Sequence, residues 1–555
     1  MNRRLLPIIL IALATLLYFH TLNYPFFFDD SHMIVSNDRI HHLSNWLQVW
    51  TSNEIASSLN THWGYRPLNT FIQMLCWVLG GGSTWPFHLV KFVLMGVSGV
   101  LVARIAGFWW GQGRKVDQKL VWGVALLWIA HPALTQSAIY ISATSTLLCG
   151  VFFLAAYLGY LRFRAGEGRG HLLASGLWLV LSLLCKEESV TLLAVIVLTE
   201  WMGIGVPPLK ISRQSLRDLR ILVWPLAFYA VTTLGTLGFL KAMRSVAAHE
   251  FAHGNHDAWT YFVTQIRAWP HYLKLWIWPW DLNADNLEFG FTSSILDAQV
   301  LEAATLQLVL LVLAWSYRKQ EPLFLFGLLW FYITVAPASS FVPLAEPVND
   351  HRFFIPFAGL TLAFAPSAWK WMERLPRPAP RVLLAILVLG FVGGQQVRSR
   401  VWKTQETLWG DTLNRNPTSG RAMNNLALVY MERAEWAKAS ELLDRCVKTW
   451  PTYGVCYLNG GLVAAALGND VLAESQFKLV LGLDPNSSNA MFHFVEFLQS
   501  RGRLREAAVL SDKWIKLTGG KSLQAWRAAK RVFELQGDVG SIERTTQQIR
   551  VLEGF

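Results

Sequence analysis

Apolar runs of about 20 residues alternate with short polar segments over roughly the first 400 residues. A helix of that length crosses a bilayer. Basic residues gather in the polar segments around Arg114, Arg162, Lys210, Arg318 and Lys370, and such loops remain in the cytoplasm. The pattern predicts an all-α, polytopic membrane helix bundle of about 11 spans, at approximately residues 5–22, 87–109, 120–137, 143–161, 171–186, 189–206, 221–240, 299–317, 322–338, 354–371 and 382–397.

The orientation of this bundle follows from the same count. Arg3 and Arg4 precede the first apolar run, so we expect an uncleaved first span with a cytoplasmic N-terminus. An odd number of spans places the C-terminal part outside. The segment Tyr261–Trp280 is also long enough to cross, but a crossing there would move every later basic loop outside. We therefore place it, like Pro67–Leu79, at the outer interface, which suits its tryptophans.

After Trp402 the pattern changes to that of soluble amphipathic helices with a 34-residue period, which is typical of a tetratricopeptide repeat (TPR) solenoid. The domains expected are a catalytic membrane domain over residues 1–397, a connector over 398–418 and a repeat domain over 419–555. Such stacks form concave grooves, so we favour a protein-binding surface over a simple spacer. The marker positions of the first two units are occupied by Leu426, Ala427, Tyr430, Ala439, Leu443, Cys446 and Pro451, and by Gly460, Gly461, Ala464, Ala473, Phe477, Val480 and Pro485.

Composition agrees with a membrane protein and limits its chemistry. The chain is 53% hydrophobic and 15% charged, whereas a soluble protein carries about 25% charged residues. Its net charge of +12 is distributed over short loops, which argues against a nucleic-acid surface. Five cysteines are too few for a disulfide framework. We interpret Cys446 and Cys456 as small buried residues, with a disulfide in an oxidising compartment as the alternative.

Two adjacent carboxylates, Asp29 and Asp30, follow an aromatic run directly after the first span. Neighbouring like charges at a membrane boundary are unfavourable unless a cation or a reaction uses them. The alternative is that one carboxylate caps the next helix and the other is solvated. The predicted topology brings further polar motifs to the same outer face: Tyr65-Arg66-Pro67-Leu68, Phe87-His88-Leu89-Val90, His131-Pro132, Cys185-Lys186-Glu187, Gln265-Ile266-Arg267, Asn283 with Asp285, and Asp350-His351-Arg352.

The order of these motifs and the attached repeats resemble one family over nearly the whole chain. They look like the transmembrane-and-tetratricopeptide-repeat O-mannosyltransferases and their bacterial relatives, within the GT-C superfamily of polyprenyl-phosphate-sugar-dependent glycosyltransferases. The resemblance implies a GT-C helical bundle with its active site in the outer loops, a lipid-phosphate-linked sugar as donor, and inversion at the anomeric carbon. It also implies that an acid matching Asp29 acts as the base.

These implications assign roles to the outer residues. Asp29 and Asp30 are the predicted catalytic pair, with Asp30 orienting Asp29 or raising its pKa through like-charge coupling. Four cations are candidates for the donor phosphate: Arg66, Lys186, Arg267 and Arg352. Seven residues are candidates for contact with sugar or acceptor: His88, His131, Glu187, Gln265, Asn283, Asp285 and Asp350. No metal ligand set and no resident cofactor are predicted, the polyprenyl-phosphate sugar being a substrate.

Simpler roles exist for most of these residues. Arg66 and Arg352 would serve equally as anchors at lipid headgroups, and His88 and His131 as hydrogen-bonding groups at helix ends. Glu187 and Glu188 would pair with Lys186, and Asp350 with Arg352.

The chain also departs from the family pattern at three places. Gln136 stands where an acid is usual, Ser142-Ala143-Thr144 where an arginine is common, and Asp350-His351 in place of a glutamate before the late arginine. One acid and one cation of the usual outer pocket are therefore replaced. This leaves the donor sugar open and argues against a bound divalent metal.

The leading hypothesis is a glycosyltransferase of the bacterial inner membrane that glycosylates Ser or Thr hydroxyls of exported proteins held by extracytoplasmic repeats. A second hypothesis keeps the enzyme but makes a lipid or surface polysaccharide the acceptor. A third is a non-enzymatic membrane scaffold in which the repeats do all the work. Charges gathered at the membrane edge argue against the scaffold.

Overall fold

The computed structural model describes residues 5–59, 64–111, 117–207, 216–243 and 256–553, and within these ranges the chain is helical without strands. The predicted all-α class is confirmed. The chain forms two compact units, Met1–Thr404 and Gln405–Phe555. The domain boundaries expected at 397 and 419 stay predictions, and the basic clusters around Arg114 and Lys210 fall largely outside the described residues.

The first unit consists of fifteen helices in its described part: α1 Leu6–Tyr18, α2 Gln48–Thr51, α3 Pro67–Gly80, α4 Trp85–Trp110, α5 Gln118–Ala130, α6 Thr135–Ile139, α7 Thr144–Arg164, α8 Gly170–Leu183, α9 Leu192–Met202, α10 Leu216–Met243, α11 Ala258–Ile277, α12 Ala298–Ser316, α13 Pro322–Val335, α14 Phe354–Met372 and α15 Ala379–Val401. Short 3₁₀ turns at Ile141–Ala143, Glu187–Thr191 and Asp350–Phe353 precede α7, α9 and α14.

Five helical segments in the described part are long and apolar enough to cross a membrane, as expected of a multi-pass protein: Trp85–Trp110, Ile141–Arg164, Val223–Met243, Ala298–Ser316 and Ala379–Val401. Every other predicted span overlaps a helix, but several of those helices have only 10–17 residues. The total of about 11 crossings therefore stays a prediction. The helices α3 and α11 are not among the five, and their interfacial placement likewise stays a prediction.

One predicted span is interrupted. The helix α5 ends at Ala130, and the chain turns at His131 into the short turn Pro132–Leu134. The residue before a proline disfavours helical dihedrals, and His131 has φ −64° and ψ 120°. The expected span over 120–137 is therefore wrong in its second half, where the chain forms two short helical pieces.

The helix α7 forms the centre of the first unit. Its span is 83% buried, against 22% for α15 and 17% for α12. Glycine lets α14 approach this closely, because a Cβ at Gly150 would lie 2.3 Å from the Phe354 ring. The inner helix α7 is therefore enclosed by other helices, while α12 and α15 leave most of their residues exposed.

The second unit is a row of similar helices: α16 Gln405–Arg415, α17 Gly420–Glu432, α18 Trp436–Thr449, α19 Gly454–Ala466, α20 Asp470–Leu483, α21 Ser488–Ser500, α22 Leu504–Leu517, α23 Leu523–Gln536 and α24 Val539–Glu553. Each helix packs on the next, and α17 also contacts α19, as α19 contacts α21. Gly461 lets α20 approach, since a Cβ there would lie 2.9 Å from Phe477. The unit is a stack of helical hairpins, and its assignment to the TPR class stays a prediction.

Cys446 and Cys456 are joined by a disulfide, with their sulfur atoms 2.00 Å apart. The bond links α18 to α19, and both cysteines are fully buried. Their interpretation as free buried residues is therefore wrong, and the alternative of a disulfide is the one observed.

Candidate functional site

The loop after the first helix turns the two carboxylates in opposite directions. Phe28 adopts a φ of +47°, in the left-handed region that a bulky residue occupies only at a cost of about 1–3 kcal/mol. The rings of Phe27 and Phe28 pack on Trp402 at 5.4 and 6.0 Å, which holds this conformation. The Asp29 side chain is 64% exposed, whereas Asp30 is fully buried.

Asp30 is an anchor for this loop. One carboxylate oxygen accepts from the Phe27 backbone N–H at 2.9 Å, and the other accepts from the backbone N–H of Ser142 at 2.8 Å and from its hydroxyl. Burial raises the pKa of Asp30 to about 7, although these hydrogen bonds and the positive charge of Lys91 lower it. Burial, rather than coupling to Asp29, is the main cause of the shift. Ser142, one of the residues that depart from the family pattern, is thus a hydrogen-bond partner of Asp30.

Asp29 faces outward beside a held imidazole. Its carboxylate oxygen lies 3.5 Å from Nε2 of His32, whose Nδ1 is 2.9 Å from the Ser57 hydroxyl. Its backbone N–H donates to the Tyr140 hydroxyl at 3.2 Å. An accessible carboxylate in a fixed orientation has the geometry that a general base requires.

Four positive charges act on His351, which lies in the turn before α14. Burial and these positive charges lower the pKa of His351 well below its usual range. The cations come from separate parts of the chain. Lys186 follows α8, Arg352 lies in the same turn as His351, Arg66 precedes α3, and Lys91 lies on α4. Three of the four cations predicted for the donor phosphate, together with Lys91, therefore act electrostatically on one histidine, and these four side chains are here called the basic cluster.

Lys186 and Arg66 each have an acidic partner in the segment that follows α8. Lys186 Nζ lies 2.7 Å from Glu188 and donates to the Thr146 hydroxyl at 3.0 Å. Arg66 lies 3.8 Å from the Glu187 carboxylate, which is too long for a hydrogen bond. Its buried Nε has no hydrogen-bond partner among the described residues. Arg66 therefore keeps donor capacity for an anion.

Arg352 and Lys91 are both buried. Arg352 is 7% exposed and donates to the Tyr261 hydroxyl at 3.4 Å and to the Pro347 carbonyl at 3.3 Å. Lys91 is fully buried and donates to the Tyr140 carbonyl. A lysine inside an apolar span is by default a functional residue. The charged side chain of Lys91 within the apolar run 87–109 could have identified it from the sequence. Neither Lys91 nor His351 is among the predicted site residues.

Tyr140 connects the carboxylate loop to the cations. Its hydroxyl accepts from the Asp29 backbone and its carbonyl from Lys91. Its ring lies 6.5 Å from that of His351, 5.6 Å from that of Phe28 and stacks on Trp402 at 5.7 Å. The Asp29 backbone and the Lys91 ammonium group therefore bind the hydroxyl and the carbonyl of one tyrosine.

The remaining predicted residues divide into two sets. Gln265 donates to the Pro347 carbonyl at 2.9 Å, beside Arg352. Asp350 accepts from Asn286 at 3.3 Å, and Asp285 donates its N–H to Asn283 at 3.4 Å. These contacts join the 283–286 loop to the turn that carries the basic cluster, so this set borders the site.

The second set has contacts of its own. Arg267 donates to the Thr292 hydroxyl at 2.7 Å and lies over the Phe289 ring. Nε2 of His131 bonds the Trp276 carbonyl at 3.1 Å while its Nδ1 accepts from Ala133.

His88 bonds the Tyr24 carbonyl at 3.1 Å and so supports the aromatic stretch before Asp29. The hydrogen bonds of the two histidines match the simpler role given for both. Among the described residues, no group of three or more His, Cys, Asp or Glu is placed to hold a metal ion.

Comparison with known proteins supports the family resemblance. The chain is 28% identical over 328 residues to the protein O-mannosyl-transferase Tmtc2 of Drosophila melanogaster, covering 56% of this chain and 33% of that protein. It is 23% identical over 464 residues to the protein O-mannosyl-transferase F38B6.6 of Caenorhabditis elegans, covering 80% and 63%. With mouse TMTC4, also named a protein O-mannosyl-transferase, identity is 24%, covering 72% and 60%.

The matched region spans between one third and less than two thirds of these relatives. No family model matches the chain. Among solved structures, the MamA protein and the TPR protein YrrB share 15% identity with it and cover 29% and 34% of it, but with TM-scores of 0.25 and 0.23. These scores are too low for a fold assignment.

Proposed function

We propose that this protein is a membrane glycosyltransferase that moves one sugar from a polyprenyl-phosphate donor to a Ser or Thr hydroxyl of an exported protein, with inversion. The observation that carries the proposal is that Tyr140 binds both Asp29 and Lys91 and has its ring 6.5 Å from that of His351, on which the charges of the basic cluster act. A glycosyl transfer from a lipid phosphate needs a base on the acceptor side and cations on the leaving-group side. The similarity to proteins named O-mannosyl-transferases supports the same reaction class.

In the proposed reaction the acceptor oxygen attacks the anomeric carbon of the sugar. Its proton passes to the Asp29 carboxylate as the new C–O bond forms, and the bond between the anomeric carbon and the phosphate oxygen breaks. Because attack and departure occur on opposite faces of the sugar, the anomeric configuration inverts. His32, held by Ser57, fixes the orientation of the carboxylate.

The leaving polyprenyl phosphate gains negative charge as its bond to the sugar breaks. Arg66, Lys186 and Arg352 would stabilise that charge, and in a site shielded from water such stabilisation is large. Arg66 is the first candidate for direct contact, because its Nε is buried without a partner among the described residues. Lys91, which donates to the Tyr140 carbonyl, would contribute positive charge from a buried position. His351, kept neutral by its surroundings, adds no charge of its own.

The second unit is proposed to hold the acceptor outside the cytoplasm. Its buried disulfide fits an oxidising compartment such as the bacterial periplasm, since cytosolic proteins rarely keep such bonds. This location agrees with the predicted orientation of the bundle, in which the C-terminal part follows an odd number of spans in the bacterial inner membrane.

Reconstitution tests the proposal directly. The purified protein in liposomes, supplied with a panel of polyprenyl-phosphate hexoses and an extract of exported proteins, should add one hexose mass to Ser- or Thr-containing peptides, measured by mass spectrometry. A matched reaction with Asp29→Asn is the control. Transfer to glycolipid fractions alone would favour the lipid acceptor, and no transfer from any polyprenyl-phosphate donor would refute the proposal.

A further inference from the structure

Two amide side chains on α3 are buried without hydrogen bonds. Asn69 is 0% exposed and Gln73 is 1% exposed. Neither the oxygen nor the nitrogen of either amide has a hydrogen-bond partner among the described residues. Native proteins pair the large majority of buried polar side-chain atoms, so four such atoms within one helical turn are exceptional.

The two amides share a face of α3, because residues four apart lie on the same side of a helix. Arg66, a residue of the basic cluster, is the non-helical residue that directly precedes α3. Arg66, Asn69 and Gln73 are here called the α3 polar row. At a rise of about 1.5 Å per residue, the two amides lie about 6 Å apart along the helix axis. At the N-terminal end of the row stands the arginine that is the first candidate for the donor phosphate.

The surroundings of the row are those of the candidate site. The helix α3 packs against α4 and α7. On α4 lies Lys91, and the first turn of α7 holds Thr146, which bonds Lys186. On its other side, Met74 of α3 shares a hydrophobic cluster with Met33 and Ile34. Met33 and Ile34 lie three and four residues after Asp30, so α3 packs against the segment that follows the carboxylates as well as against the helices that carry Lys91 and Thr146.

The chemistry of an amide selects the kind of ligand. Each amide offers two N–H donors and one carbonyl acceptor. A phosphate accepts only, an ammonium group donates only, and a polyprenyl chain does neither. A sugar hydroxyl both donates and accepts, so neighbouring hydroxyls of one hexose satisfy both ends of an amide.

We propose that Asn69 and Gln73 bind hydroxyl groups of the donor sugar and determine which sugar is transferred. This inference rests on the proposed function, because the sugar is that of the polyprenyl-phosphate donor. It places the phosphate at the N-terminal end of the α3 polar row and the sugar ring along it. The specificity for one hexose then comes from two amides in the first unit, independently of the acceptor.

The first test needs no variant. The reconstituted wild-type protein is assayed with polyprenyl-phosphate donors of the preferred hexose and of its single-deoxy analogues, each lacking one hydroxyl. A site built to hydrogen-bond a hydroxyl rejects the analogue that lacks it. We expect at least one analogue to lower kcat/KM by about 10- to 100-fold, which is the range for one lost hydrogen bond that leaves a buried partner.

The second test replaces the amides with apolar side chains of similar size, Asn69→Leu and Gln73→Met. If the amides bind sugar, transfer falls by about the same 10- to 100-fold factor while the thermal midpoint is unchanged or raised, because an unpaired buried polar group has been removed. The variants should also lose the preference against the deoxy analogue. Leu79→Ala, on the exposed side of α3, is the matched control and should transfer normally.

The outcomes separate the two proposals. If wild-type protein transfers the hexose but treats every deoxy donor alike, the amides hold structural water only and this inference is overturned while the proposed function stands. Normal transfer by both variants overturns it in the same way. If a variant does not fold, the deoxy series with the wild type decides. Failure of wild-type transfer from every polyprenyl-phosphate hexose refutes the proposed function and the sugar site with it.

Discussion

The two units use the same ion-pair chemistry in opposite surroundings. In the first unit, Lys186 and Glu188 lie 2.7 Å apart with side chains 10% and 9% exposed. In the second unit, Arg503 and Glu506 lie 2.6 Å apart with side chains 34% and 58% exposed. The distances are nearly equal, but water screens the second pair and barely reaches the first. Geometry alone therefore does not rank these interactions, whereas burial does.

The difference extends beyond ion pairs. The second unit buries mainly apolar residues such as Phe477, Phe494 and Trp514 and leaves its charges at the surface. The first unit buries Asp30, Lys91 and several amides. Buried charges cost desolvation free energy and are weak evidence for stability. Their concentration in one unit indicates that chemistry, rather than stability, explains their presence there.

The largest expected effect is at Asp29. Asp29→Asn removes the proposed base, and transfer should fall by about 10²- to 10⁴-fold. Its side chain is mostly exposed, so the thermal midpoint should change little. Single-turnover assays with saturating donor measure the first quantity and thermal unfolding the second. Normal transfer by a correctly inserted variant would refute the assignment of Asp29 as base.

Breaking the buried pair should be the next largest effect. Lys186→Met leaves Glu188 buried without its cation, which costs about 3–5 kcal/mol of stability. The double variant Lys186→Met/Glu188→Leu should recover most of that loss because both charges are gone. Donor binding should stay weak in both variants, since the phosphate has lost a cation. Recovery of transfer together with stability would show that Lys186 has only a structural role.

Removing the disulfide tests how much a single buried link stabilises the second unit. Replacing Cys446 and Cys456 by alanine releases a short loop and should lower the unfolding free energy of that unit by about 2–4 kcal/mol. Thiol labelling of intact cells before and after reduction checks that the bond forms. Free thiols in the untreated protein would contradict the proposed extracytoplasmic location.

A smaller effect is expected from the titration of Asp30. Its folded pKa of about 7 lies above the usual value, so between pH 4 and 7 the folded protein holds a proton that the unfolded chain releases. The contribution of Asp30 to stability should therefore be complete below pH 4 and fall as pH rises to 7, by roughly 2 kcal/mol between pH 5 and 7. Asp30→Asn cannot titrate, so its unfolding curve should show a weaker pH dependence. Parallel pH curves for the two proteins would contradict the burial effect.

The smallest effect is expected at the exposed pair. Arg503→Ala removes a cation that contacts Glu506 and Glu474 at the surface, where such pairs contribute little. The thermal midpoint should shift much less than after Lys186→Met, and raising the salt concentration should reduce even that shift. A loss equal to that of the buried pair would contradict the comparison between the units.

Much of the architecture was predictable because it depends on local patterns. Apolar runs predicted the helices of the first unit, and the small residues Gly460 and Gly461 predicted the close helix pairs of the second. Errors arose where a local signal competed with the pattern. Pro132 ends a helix inside an apolar run, and the spacing of Cys446 and Cys456 alone did not show that their side chains meet.

The candidate site was predictable in part. The sequence placed Arg66, Lys186 and Arg352 among the residues of the outer face through motif resemblance. It did not separate Asp29 from Asp30 by burial, because adjacent residues share the same local pattern. It also grouped Arg267 with the other cations, although this arginine contacts Thr292 and Phe289.

By itself the sequence determined the helical class, the membrane character and the family resemblance, because each follows from periodicity, composition or motif order along the chain. Only the tertiary structure decided that the charges of Lys91, Lys186, Arg66 and Arg352 act together on His351, and that the buried amides of Asn69 and Gln73 have no partner in the described part of the chain. Burial and the convergence of distant charges depend on how helices pack. Packing places side chains from distant parts of the chain around one point, which no local pattern encodes.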